Sequence, residues 1–153
     1  MQLSIIAASN RQPKWVETAF DDYAKRFSGP LRLQYRQIRL AKHPNAEQRK
    51  ADEAERALAA APAGALLVAL DEHGTSQTTR GLAGLLSDWM REGLRPCFLI
   101  GGPDGHGQAV LEAAALRWSL SALTLPHGLV RIIVAESLYR AASVLSGHPY
   151  HRD

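Results

Sequence analysis

Four groups of residues carry enough polar chemistry to suggest a site. The chain closes on GHPYHRD (147–153), which sets two histidines, a tyrosine, an arginine and an aspartate side by side. Glu136 and Arg140 stand four apart in a long apolar stretch, a spacing that pairs them on one helical face. A carboxylate and a guanidinium among apolar neighbours are costly unless paired or put to use, so this pair is either a structural lock or part of a reaction. His127 and Arg131 repeat the spacing where that stretch begins. GGPDGHG (101–107) offers backbone bare of side chains, which a flat ligand can approach closely; the same glycines also suit a tight turn that binds nothing.

Some chemistries are excluded by spacing. The dinucleotide fingerprint needs a third glycine five residues after its first; Gly105 and Gly107 supply two, and Val110 occupies the third place. No lysine follows the glycines, so the phosphate-cradling loop of nucleotide hydrolases is not present either. His148, His151 and Asp153 match no zinc spacing, and no thiolate is near them. No metal is expected.

These groups must be positioned by a small protein. The 153 residues suit one domain with a genuine core, and 46% hydrophobic with 22% charged residues is ordinary for a water-soluble globule. A lone cysteine, Cys97, rules out an internal disulfide. Neither a secretion signal nor a membrane span is legible, so a cytoplasmic protein is expected. The net charge is +3, and 14 of the 18 cations are arginine. Arginine suits phosphates and stacked bases, although a compositional bias toward Arg and Ala accounts for it equally simply.

The elements alternate. LSIIAA (3–8) is a buried strand, and Pro13 opens a helix with Trp15, Ala19, Tyr23 and Phe27 as a stripe. LRLQYRQIRL (31–40) alternates apolar and polar as a half-exposed strand near a sheet edge. Asn45 and Gln48 form a capping box ahead of a solvated helix carrying Arg49–Glu53 and Asp52–Arg56 ion pairs. ALLVAL (65–70) is a strand covered on both faces. Ser76 caps a helix turning Leu82, Leu85, Leu86 and Trp89 inward. PCFLIGG (96–102), a short helix near 107–115, WSLSALTLPH (118–127) and a helix over 129–145 complete the chain. The last is apolar nearly all round, with Leu129, Ile133 and Val144 flanking Glu136 and Arg140, which suggests burial against a second subunit. The pattern predicts one α/β domain over 1–153, a mostly parallel sheet with helices on both faces. Ligands of such sheets lie beyond the strands' carboxyl ends, where 70–74, 100–107 and 119–128 fall.

At LIGGPDG (99–105), SLSALTLPHGLVRIIVAESLYRA (119–141) and GHPYHRD (147–153) the sequence resembles the ribosomal large-subunit methyltransferase H family, knotted enzymes of the SPOUT superfamily. The resemblance spans the chain and is most specific in its last third. It implies a homodimer with a deep C-terminal trefoil knot (the SPOUT, or alpha-beta knot, fold). It also implies methyl transfer from S-adenosylmethionine to N3 of a pseudouridine in the helix 69 loop of 23S rRNA, on assembled ribosomes. Leu70, Gly101, Gly102 and the loop Ser121, Ala122, Leu123, Thr124, Leu125 and Pro126 would hold the cofactor. The nucleobase N3–H must lose its proton, and Glu136, His127 and His151 are candidate bases. Arg140 would stabilise the resulting anion. Arg131, His148, Tyr150 and Arg152 would meet RNA, the tail closing over the cofactor. The rivals are a related methyltransferase acting on tRNA, a non-catalytic RNA-binding module and a nucleotide-using α/β enzyme.

Overall fold

The computed structural model describes residues 1–152. Asp153, weighed above with His148 and His151 as a metal ligand, lies outside them. Five strands form one parallel sheet in the order β2-β1-β4-β3-β5. They are β1 (Gln2–Ala8), β2 (Arg32–Ile38), β3 (Leu66–Ser76), β4 (Pro96–Ile100) and β5 (Leu116–Ser119). The helices are α1 (Lys14–Ala24), α2 (Ala46–Ala60), α3 (Thr79–Arg91), α4 (Gln108–Ala113) and α5 (His127–Ser146). Among the described residues no helix is long and apolar enough to cross a membrane.

Side-chain alternation divides the core between the two faces. Leu3, Ile5, Val68, Leu70, Phe98 and Ile100 pack with Phe20 of α1, Leu86 of α3 and Leu138 of α5. Ile6, Ala69, Cys97 and Leu99 point the other way, onto Ala54 of α2 and Val110 of α4. Helices on both faces and the half-exposed edge strand β2 follow the sequence pattern. Burial pushes the Cys97 thiol up to about 12, which makes it an inert core residue.

Several local expectations are corrected. The α1 stripe is rotated: Trp15 is 57% exposed, whereas Val16 and Phe20 are buried. On a helix of about 3.6 residues per turn, buried Phe20 lies about 140° around from Trp15, and Phe27 falls beyond the helix end at Ala24. Thr78, not Ser76, caps α3, its hydroxyl accepting from the Gly81 N–H at 2.9 Å. Ser76 belongs to β3, which runs beyond residue 70. There Trp118 is opposed first by Leu70 and then by Thr75 as the register shifts, and a Cβ on Gly74 would lie 2.5 Å from the Arg117 carbonyl oxygen. Only glycine lets these backbones approach so closely. Asn45 caps α2 through Gln48 as expected, but neither α2 ion pair forms. Arg49 turns to Asp104, Arg56 to the Arg39 carbonyl and Asp52 to Gln48, while Glu53 is buried.

Candidate functional site

Beyond the carboxyl ends of β3, β4 and β5 lies a cavity of about 680 Å³. Its floor is Leu70, Ile100 and Trp118, buried residues of β3, β4 and β5. The glycine loop forms one wall. Gly102 O accepts from the Gly105 N–H at 2.9 Å, closing a tight turn over Pro103 and Asp104, and Gly105 has φ +89°, which favours glycine. The opposite wall is the segment 120–125 with His127 and Val130 of α5. Ser121 Oγ accepts from the Leu123 N–H at 3.0 Å, and the Thr124 hydroxyl donates to Glu72 Oε2 at 3.0 Å, fastening this wall to the end of β3.

Of the residues expected to hold a cofactor, Leu70, Gly101, Gly102, Ser121, Leu123, Thr124 and Leu125 line the cavity. Ala122 and Pro126 do not; both are exposed, and the Pro126 carbonyl accepts the first N–H groups of α5. His106, Asp71 and Glu72 complete the lining and were not singled out in the sequence, although they fall in its strand-exit segments. The lining contains Asp71, Glu72, Asp104 and three histidines, with no lysine or arginine among the described residues. Asp104 is neutralised by Arg49, whose hydrogen bond holds its carboxyl below the usual range, leaving Asp71 and Glu72 as the cavity's charge.

Two histidines are held toward their neutral forms. His106 Nε2–H donates to the Leu70 carbonyl at 2.9 Å, tying β3 to the glycine loop, and burial lowers its pKa. Burial also lowers that of His127, against the opposing pull of a backbone hydrogen bond to Gly101. His127 Nε2 is buried without a hydrogen-bond partner. Both groups have folded pKa values below the ordinary 6.5, so the unfolded chain binds more protons as pH falls through that range. Stability is therefore expected to decline on acidification from about pH 7.5 to about pH 5.5. Thermal melts should show a shallower slope in His106→Gln, which keeps a donor for Leu70 but cannot titrate; an unchanged slope would remove His106 from this account.

The other candidates gather elsewhere. Glu136 and Arg140 pair as their spacing predicts, Oε1 accepting from Arg140 Nη2 at 2.5 Å and from Nε at 2.9 Å. The Tyr150 hydroxyl donates to the same oxygen at 3.1 Å, and its ring lies edge-on to Tyr139 at 4.7 Å, with Arg140 at 4.8 Å from its centroid. Burial and this hydrogen bond push the Tyr150 phenol up to about 12. The tail is thus folded onto α5. Within one subunit it stands apart from the cavity: nine residues of helix, about 13 Å of axial rise, separate His127 from Glu136. His148 instead lines a smaller cavity of about 330 Å³ with Arg26, Met90 and Tyr139, His151 is half-buried, and Arg152 is exposed.

Arg131 is corrected outright. At 2% exposure it is inside the protein, giving two hydrogen bonds to Glu17 at 2.6 and 3.1 Å, its guanidinium 3.7 Å from the Tyr35 ring centroid and 4.6 Å from that of Phe20. It joins α5, α1 and β2 and is not placed to meet RNA, nor does it pair with His127. A buried arginine and a surface arginine look alike in sequence, and the distant Glu17 gave no local signal.

The comparisons agree with this architecture. The family model described as "Predicted SPOUT methyltransferase" matches residues 1–151. The ribosomal RNA large subunit methyltransferase H of Thiobacillus denitrificans is 48% identical over the whole of both chains. The protein of the same name from Paracidovorax citrulli is 47% identical, again over the whole of both. Among solved structures, the SpoU methyltransferase AviRb from Streptomyces viridochromogenes shares the fold at a TM-score of 0.50 with 17% identity. That match covers 95% of this chain and 60% of AviRb.

Proposed function

Because this chain belongs to the SPOUT methyltransferase family, we propose that it transfers a methyl group from S-adenosylmethionine to ribosomal RNA of the large subunit. We place the target at N3 of a pseudouridine in the helix 69 loop of 23S rRNA, on assembled cytoplasmic ribosomes. The working form in this reading is a homodimer with the C-terminal knot of its superfamily. The observation that carries the cofactor assignment is the charge of the cavity. In a chain with 18 cations, the lining holds Asp71 and Glu72 and no lysine or arginine among the described residues. Such a lining suits a sulfonium and an ammonium and disfavours phosphates, which weighs against a nucleotide-using enzyme.

The residues present fit that cofactor. Gly101 lets the wall fold tightly on itself: a Cβ there would meet the Gly105 and His106 backbone at 3.0 to 3.1 Å. Leu123 and Leu125 supply apolar surface, and His127 beside them has a buried Nε2 with no hydrogen-bond partner. When bound, the cofactor supplies a methyl group already activated on sulfur. The protein must then orient the nucleobase and accept one proton. Of the three bases open in the sequence, His127 alone lines the cavity, and burial favours the neutral imidazole that can take that proton. Glu136, Arg140 and Tyr150 form a second cluster suited to gripping the nucleotide, with a second subunit bringing cluster and cavity together.

The test is transfer of labelled methyl from S-adenosylmethionine to ribosomes lacking the modification, followed by nucleoside mass spectrometry of the digested 23S rRNA. The expected product is N3-methylpseudouridine. Label on tRNA alone would replace the substrate, and bound cofactor with no label on any RNA would leave only a binding module.

A further inference from the structure

The segment from the end of β2 to the start of α2 carries cations that the fold does not use. Arg36, Arg39 and Lys42 are exposed, and none of their side chains makes a hydrogen bond or an ion pair within the described residues. Several exposed arginines elsewhere are occupied: Arg26 binds Asp22, Arg91 binds Asp88, and Arg32 donates to the Gly29 and Leu31 carbonyls, whereas Arg11 and Arg152, also exposed, stand apart from this segment in the chain. β2 is a sheet edge, so no further strand covers this side. At strand spacing, Arg36 and Arg39 are about 10 Å apart along the chain.

This segment is fixed to the cavity. Leu40, next to Arg39 in the chain, packs on the glycine loop, where a Cβ on Gly102 would meet Leu40 Cδ2 at 2.9 Å and Glu53 Oε1 at 2.7 Å. The Ala41 N–H donates to Glu53 Oε2 at 2.8 Å. Arg49 donates to the His43 and Pro44 carbonyls at 2.8 and 2.9 Å while its Nε and Nη2 hold Asp104 at 2.8 and 3.2 Å. α2 therefore brackets the cavity wall and the cationic segment as one unit. Only β1 stands between the ends of β2 and β4, so the cations begin about two strand spacings, roughly 10 Å, from the cavity floor.

We infer that Arg36, Arg39 and Lys42 form a phosphate-binding ridge that lays the RNA backbone beside the cavity. The inference rests on an RNA substrate, as proposed above, but not on which RNA. Unpaired cations beside an anionic cavity divide the labour: the ridge holds phosphates, and the cavity, which repels them, takes the cationic donor. Arginine at two of the three positions favours the bidentate grip that phosphates allow.

The test compares the wild type with the triple variant Arg36→Gln, Arg39→Gln, Lys42→Gln, all surface changes outside the cavity. On ribosomes the KM is expected to rise about tenfold or more at physiological salt, with kcat, cofactor affinity and melting temperature unchanged. The slope of log affinity for protein-free 23S rRNA against log salt should become shallower by about two. An unchanged KM and salt slope would overturn the ridge while leaving the methyltransferase assignment intact. So would a weakening on ribosomes with unaltered binding to protein-free rRNA, since the contact would then be to ribosomal protein. If the wild type methylated tRNA instead and the variant weakened that binding, the ridge would stand and the ribosomal substrate would fall.

Discussion

Glu136→Ala is expected to lower methyl transfer about 100-fold, with cofactor affinity within about threefold of the wild type. The reason is geometric. One carboxylate oxygen gathers both Arg140 nitrogens and the Tyr150 hydroxyl, so Glu136 holds the guanidinium and the tail in one arrangement. Without it, Arg140 is free to swing, and Tyr150 is left with its contacts to Tyr139, Arg140, Arg26 and Tyr23. Glu136 does not line the cavity, so the cofactor should not register the change. Glu136→Gln preserves an acceptor for Tyr150 but removes the charge facing Arg140, and should fall between the two. Single-turnover transfer on ribosomes alongside calorimetric titration of the cofactor would check this. Full activity in Glu136→Ala would reduce the cluster to a structural lock.

The second large effect is on stability. Glu17→Ala should cost about 3 kcal/mol, the low end for a broken buried pair, because Glu17 is 44% exposed and water can enter part of its place. For a chain of this length that lowers Tm by roughly 6 to 12 °C. What it leaves behind is the difficulty: a guanidinium 2% exposed, whose Nε already lacks a partner, between Phe20 and Tyr35. Arg131→Met removes the charge itself, fills much of the slot with an apolar chain and lets Glu17 hydrate, so it should be the milder change. Chemical denaturation of the two variants decides the order. If Arg131→Met weakened RNA binding without lowering stability, Arg131 would return to the RNA-facing set.

Much of this protein was legible in one dimension. The alternation of apolar runs and amphipathic stretches gives a parallel sheet with helices on both faces, because side chains alternate across a strand every two residues and recur along a helix about every 3.6. The edge position of β2 shows in its polar alternation, and the Glu136–Arg140 pair in its spacing, since both depend only on neighbours in sequence. The glycine loop and the 119–128 segment were locatable as strand exits, and of the nine cofactor residues that the family resemblance implied, seven line the cavity found there.

Tertiary structure decided what depends on partners distant along the chain. Arg49 could pair with Glu53 one helical turn away, yet Asp104 captures it across 55 residues. Glu53 is thereby left to the Ala41 N–H. Arg131 is 114 residues from the Glu17 that draws it inward. The cavity's anionic lining is likewise a property of packing: the cations are plentiful in sequence, and the fold puts none of them in that lining. Local periodicity fixes which face a side chain takes, but charge pairing is decided by whichever partner the fold delivers within a few ångströms, because the interaction weakens with distance through space and takes no account of distance along the chain.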